Sequence, residues 1–157
     1  MRTIQHWIDG KVAESSSGRS GAVTNPATGE QTAQVAFADV SEVDAAVASA
    51  AQAFKSWGAA SLAKRTQVLF NYRELLNKHR DEIASLITAE HGKVHSDALG
   101  EVARGLEIVE LACGIPQLLK GETSTQVSTR VDVESIRQPL GVVAGITPFN
   151  FPAMVPM

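Results

Sequence analysis

Gln138 to Met157 reads QPLGVVAGITPFNFPAMVPM, and no other stretch of the chain restricts the fold so tightly. Gly141 to Thr147 is an apolar run containing Val142, Val143 and Ile146. Such a run suits a strand buried on both faces of a parallel sheet. Pro148-Phe149-Asn150-Phe151-Pro152 follows at once. The two prolines fix φ on either side of one polar residue, and Pro152 suits the first position of a helix. The segment predicts a strand, a rigid turn and a helix start, with the Asn150 amide held in the turn. A buried parallel strand needs neighbours on both sides, and none can be found earlier in the chain. The pattern therefore predicts an incomplete sheet, as in the N-terminal part of something larger.

The residues before this segment alternate between short extended pieces and helical periods. Trp7 to Val12 reads as a hairpin turned at Asp9-Gly10. Glu14 to Gly21 is Ser/Gly-rich and reads as a loop. Val23 enters a second extended piece, punctuated by Asn25-Pro26 and Thr28-Gly29, and Thr32 to Ala38 could be another strand. Helical periodicity begins at Ser41, a good N-cap with Asp44 at N3. Val43, Val47, Ala50, Phe54 and Trp57 then form an amphipathic stripe, and Gly58 stops it. Ser61 starts a second helix with Leu62, Val68, Leu69, Tyr72, Leu75 and Leu76 inward. A third helix carries Ile83, Leu86 and Ile87 and ends near Gly92. Ser96 caps a fourth, with Leu99, Val102, Leu106, Val109 and Cys113 on one side and Pro116 beyond its end. Lys120 to Ser128 reads as a polar turn. Thr129 to Arg137 reads as extended, with Val131, Val133 and Ser135 on one face. The fold class is α/β: four helices and several short strands, then the first strand of a parallel sheet.

Composition narrows the function classes. The chain has 157 residues, 44% of them hydrophobic, enough for one domain with a core. Its net charge of −3, from 14 basic and 17 acidic residues, gives no electrostatic footprint for nucleic acid. No apolar run approaches the roughly 20 residues that cross a bilayer. Met1 to Gly10 lacks the apolar region of a secretory signal. One cysteine, Cys113, excludes an internal disulfide framework. These features are compatible with a cytoplasmic protein.

Several residues suggest chemistry, each with a structural alternative. The Asn150 amide could stabilise an oxyanion without changing protonation, or it could cap the helix starting at Pro152. The residues alone favour the cap. Cys113 is a thiol, but it continues the stripe of Leu106 and Val109 and reads as a small buried side chain. His91 and His95 have metal-pair spacing. Gly92 interrupts them and no Glu lies between them, so they read as a solvated pair and no metal is expected. No G-x-G-x-x-G follows the final strand, so the usual dinucleotide fingerprint is absent.

The final segment resembles the aldehyde dehydrogenase superfamily, whose members carry a Pro-x-Gly-Val…Pro-x-Asn-Phe-Pro pattern there and also lack the standard fingerprint. Asn25-Pro-Ala-Thr-Gly-Glu30, Ala51 to Trp57, Glu90-His-Gly-Lys93 and Glu101-Val102 sit where the superfamily places similar motifs. Gly114 to Glu122 and Ser135 to Pro152 look most like methylmalonate-semialdehyde dehydrogenases, the coenzyme A-acylating branch. The resemblance implies three portions. Residues 1–120 would be the N-terminal part of a cofactor-binding domain and 121–139 an arm pairing with another subunit. Residues 140–157 would begin a Rossmann-like NAD-binding sheet. It implies NAD-dependent oxidation of methylmalonate or malonate semialdehyde through a cysteine thioester, with coenzyme A as acyl acceptor, in a homo-oligomer (dimer or tetramer). Asn150 falls on the family's catalytic asparagine. Ile146, Thr147, Pro148 and Phe149 match the segment that runs along the cofactor, and Phe151 and Met154 would line the path of the small aldehyde. For Met154, ordinary core packing is an equal alternative. The family's nucleophilic cysteine and general-base glutamate match no position here, so these residues alone are expected to be inactive. A hydrolytic aldehyde dehydrogenase of another branch and a non-catalytic assembly fragment are the alternatives.

Overall fold

Strand β1 (Arg2–Ile4) opens the computed structural model, which describes all 157 residues. β2 (His6–Ile8) and β3 (Lys11–Ala13) form the expected antiparallel hairpin. Asp9 and Gly10 turn it with positive φ values of 56° and 71°, which matches the right-handed strand twist. β4 (Ser20–Thr24) pairs antiparallel with β5 (Gln31–Ala36), and β1 adds in parallel to the other side of β5. The three-stranded order β1-β5-β4 contains the chain's one parallel pair. That pair lies at the N-terminus, not in the final segment.

Helix α1 (Val40–Trp57) starts earlier than Ser41 and is capped by Asp39, not by Ser41. Asp39 accepts from Glu42 N, and the Glu42 carboxylate accepts from Asp39 N at 2.9 Å, a reciprocal capping box. Ser41 supports the cap by donating to Asp39 at 2.8 Å. α1 buries no residue. Trp7 and Ile8 of the hairpin line a groove with Ala46 and Val47, while Val43 and Val47 stay half exposed.

The core belongs to the next three helices. Ser61 caps α2 (Leu62–Lys78), as its sequence predicts, and α3 (Arg80–His91) ends at Gly92 with φ of 82°. α4 (His95–Cys113) starts after Val94 with no side-chain cap, so Ser96 does not fill the role its sequence suggests. Pro116 does not lie beyond the helical region either. It sits within a further short helix, α5 (Ile115–Leu118), making five helices, not four. α4 packs against α2 and α3. Ala84, Ile87, Ala98 and Val102 form the buried cluster, with Ile83 and Leu99 against it. Cys113 is buried at the end of α4. No helix is long and apolar enough to cross a membrane.

Three C-terminal expectations change. Lys120 to Ser128 is not a turn: β6 (Thr123–Ser128) pairs antiparallel with β7 (Val131–Glu134) as a ribbon. Every residue of both strands is exposed, so the polar sequence TSTQVS carries no burial signal that would betray a strand. Gly141 to Thr147 forms no strand. Its backbone finds no ladder partner, Gly141 takes a φ of 100°, and Ile146 and Val143 are open to solvent. Pro152 opens a series of turns and no assigned helix. Val155 N and Met157 N bond back four residues to Phe151 O and Ala153 O, which is helical geometry not yet carried into a full helix.

This C-terminal turn rests on α4. Ala153 packs against the buried cluster. Gly105 faces it so closely that an added Cβ would collide with the Met157 sulfur and stand 3.4 Å from Met154 Cα. Gly105→Val is therefore expected to destabilise the protein by about 1–3 kcal/mol through overpacking. Thermal unfolding of the variant checks this. An unchanged or raised Tm would mean that the turn does not need the close approach.

Candidate active site

The Asn150 turn is held by a carboxylate on α4. Glu101 lies in the stripe Ala98, Glu101, Val102, Gly105, Val109, all buried, and its own exposure is 2%. Burying an ionised carboxylate is costly unless it is paired and hydrogen-bonded. Both conditions are met. Oε2 pairs with Lys93 Nζ at 2.5 Å. Oε1 accepts from Ala153 N at 2.8 Å and from Met154 N at 3.1 Å. Those two amides are the ones that a residue just before Pro152 would have capped. Glu101 therefore takes the cap role, and the Asn150 side chain, exposed and without a hydrogen bond in the chain, does not.

Lys93 completes the arrangement. It follows α3, just beyond Gly92, and its Nζ donates to the Asn150 carbonyl oxygen at 3.0 Å. The same ammonium lies 4.5 Å from the centre of the Phe151 ring, within cation–π range. The Asn150 carbonyl and the Phe151 ring are thus held from below, and the Asn150 side chain stays exposed. A cleft of about 460 Å³ opens here, lined by Lys93, Ser96, Gly100, Arg104, Asn150 and Phe151, among others. Arg104 makes no ion pair, which leaves it as the cleft's uncommitted cation.

The other residues singled out from sequence spread along the segment. Ile146 and Phe149 are exposed, and Thr147 and Pro148 lie between them in the unpaired stretch. The backbone groups of Ile146, Thr147 and Phe149 make no hydrogen bond in the chain. Phe151 and Met154 are half-buried, with Phe151 in the cleft. Met154 faces the Gly105 side of α4, outside the cleft lining. No group of three or more metal-binding side chains is present. His95 is exposed while His91 is half-buried, so the two are not a jointly solvated pair. Sequence reading missed the contacts of Glu101 and Lys93 and the place of Arg104 in the cleft. The available signal was a glutamate inside an otherwise apolar helical stripe, eight residues from a lysine.

The chain as a whole is similar to known proteins. The aldehyde dehydrogenase family profile matches residues 12–157. The chain belongs to the aldehyde dehydrogenase family. Malonate-semialdehyde dehydrogenase 3 of Geobacillus kaustophilus is 49% identical over 155 residues, covering 99% of this chain and 32% of the relative. The crystal structure of a methylmalonate-semialdehyde dehydrogenase from Oceanimonas doudoroffii superposes with a TM-score of 0.94 at 51% identity, covering 99% of this chain and 32% of that one. A protein from Sinorhizobium meliloti 1021 assigned to the same activity, solved with NAD, gives 0.95 at 44% identity with the same coverage. The chain thus spans about a third of the length of the aldehyde dehydrogenases it matches.

The Glu101 pair makes stability depend on pH. Burial pushes the Glu101 carboxyl upward, but the Lys93 ammonium and the Ala153 and Met154 amides outweigh it and hold the group below the ordinary glutamate value. A depressed folded pKa means that the unfolded chain binds more protons. The contribution is therefore present above the unfolded value of about 4.3 and is lost as pH falls through the folded value. The Tm gap between wild type and Glu101→Gln is expected to be widest near neutral pH and to narrow below about pH 4. A gap independent of pH would show that Glu101 is not held ionised.

Proposed function

We propose that this chain supplies the oxyanion donor and part of the cofactor and substrate surfaces of an NAD-dependent semialdehyde dehydrogenase of the coenzyme A-acylating type. The observation that carries the reading is the free Asn150 amide on a turn whose backbone is fixed by Lys93 and Glu101. Attack of a thiolate on an aldehyde puts negative charge on the carbonyl oxygen. A preorganised amide N–H aimed at that oxygen lowers the barrier without reorganising. The thiolate and the general base would come from the part of the full-length enzyme beyond these residues. Cys113, buried in α4, is not a candidate.

The free backbone groups and exposed apolar side chains of Ile146, Thr147, Pro148 and Phe149 fit a nicotinamide cofactor lying along them. NAD, when bound, accepts the hydride. Phe151 is placed to face the aldehyde from the cleft, with Met154 behind it. Malonate and methylmalonate semialdehydes carry a carboxylate, and Arg104 is the guanidinium suited to it. We place residues 1–120 in the cofactor-binding domain, with residues 140–157 joining its sheet once further strands pair with Gly141 to Thr147. We assign 121–139 to a subunit-pairing arm of a dimer or tetramer. A two-stranded ribbon exposed on both faces, with Val127, Val131 and Val133 open, is marginal unless it is joined by more strands or packed against another surface.

In the full-length protein, Asn150→Ala is expected to lower kcat for semialdehyde oxidation about 10²–10³-fold, read as NADH formation. A variant within a factor of about two would remove Asn150 from the chemistry. Arg104→Leu should raise KM for malonate semialdehyde and leave KM for an uncharged aldehyde little changed. Equal effects on both would deny it a role in carboxylate recognition. Product analysis with and without coenzyme A separates the acylating reading, which predicts acyl-coenzyme A, from hydrolysis to a free acid.

A further inference from the structure

Asn150 is flanked by two prolines, yet nothing in its own turn fixes which way its amide points. The prolines set φ at Pro148 and Pro152 only. What sets the height and tilt of the turn above α4 is one hydrogen-bonded unit. Lys93 Nζ joins the Asn150 carbonyl to Glu101 Oε2, and Glu101 Oε1 gathers the Ala153 and Met154 amides. The Glu101 side chain is 1% exposed and that of Lys93 14%, so water does not replace either group cheaply.

We infer that the Lys93–Glu101 pair is a positioning device for the Asn150 amide, acting on the rate of the chemical step and not on substrate binding, an inference that rests on the catalytic reading of Asn150. Two features of the geometry support it. The pair holds the peptide carbonyl of Asn150 itself, on the same Cα that carries the side-chain amide, so loosening it moves the amide directly. By capping the following turn from α4, Glu101 also removes the competing demand on Asn150. Without Glu101, the Ala153 and Met154 amides are orphaned, and Asn150 Oδ1 is the nearest group in sequence able to accept them. Loss of Glu101 is therefore expected to turn the asparagine from donor to cap.

The test is a double-mutant cycle on the full-length enzyme, combining Glu101→Gln with Asn150→Ala and reading the single-turnover rate of NADH formation. Glu101→Gln alone is expected to slow that rate about 10–10²-fold, as displaced catalytic groups do, with KM changed less than about threefold and NAD affinity unchanged. In the Asn150→Ala background the same substitution should cost less than about twofold, because the donor it positions is already gone. Lys93→Met should reproduce the loss, and Lys93→Arg should recover part of it. Should Glu101→Gln fail to fold, the Lys93 pair of variants carries the test alone. Full additivity with Asn150→Ala, or a loss confined to KM, overturns the positioning role. An Asn150→Ala enzyme with near wild-type rate would instead overturn the catalytic reading on which it rests.

Discussion

A single buried carboxylate organises the C-terminal end of this chain. Glu101 sits in the apolar face of α4, where Ala98 and Val102 are almost fully excluded from water. An unpaired charge there would cost several kcal/mol, so the helix retains it only with partners. Its partners come from two places far apart in sequence, Lys93 after α3 and the Ala153–Met154 amides after the proline-bounded turn. One desolvated group thereby joins the helical core to the Asn150 turn. Gly105, one turn further along the same face, leaves room for that turn to lie close. The small residues and the charge on α4 are complementary: the first bring the backbone near, and the second fixes its register.

Local signals in the sequence carried most of the helical scaffold. Asp9-Gly10, Ser61 and Gly92 each act through their own backbone chemistry, and each does in the structure what its residue type dictates. The sequence leaves the start of α1 ambiguous because Asp39 and Ser41 are both good caps. The decision lies with Glu42, whose side chain answers Asp39 and not Ser41. α4 has no side-chain cap to read. The β6–β7 ribbon was half hidden because alternation reports burial, and nothing in the ribbon is buried.

The site was legible in a different way. The Asn150 turn stands out through its two prolines and through family likeness, but the residues that hold its backbone do not, because pairings over 8 and 52 residues leave no local pattern. A glutamate in a helical stripe reads by default as a break in amphipathicity, and only the geometry shows it to be the reason the stripe faces that turn. Likewise the apolar run from Gly141 to Thr147 has the composition of a buried strand, but a strand is defined by partners, and composition cannot provide them. Family membership and the unpaired backbone of that run are consistent, since the matched dehydrogenases are about three times as long.

Placing the cap of the turn on a separate helix has a mechanistic consequence. A residue that caps its own helix spends its side chain on the backbone, whereas an oxyanion donor must present its side chain to the substrate. The two roles compete for one asparagine amide at the start of a helical turn. On the proposed reading of Asn150 the conflict is resolved by an acceptor supplied from α4 and charged, since the Glu101 carboxylate accepts both amides at once and remains paired with Lys93. The lysine then ties the remaining loose point, the Asn150 carbonyl, into the same unit. On the proposed reading of Asn150, stability and preorganisation are not independent: the contacts that make burial of Glu101 tolerable are the contacts that fix the backbone of the Asn150 turn.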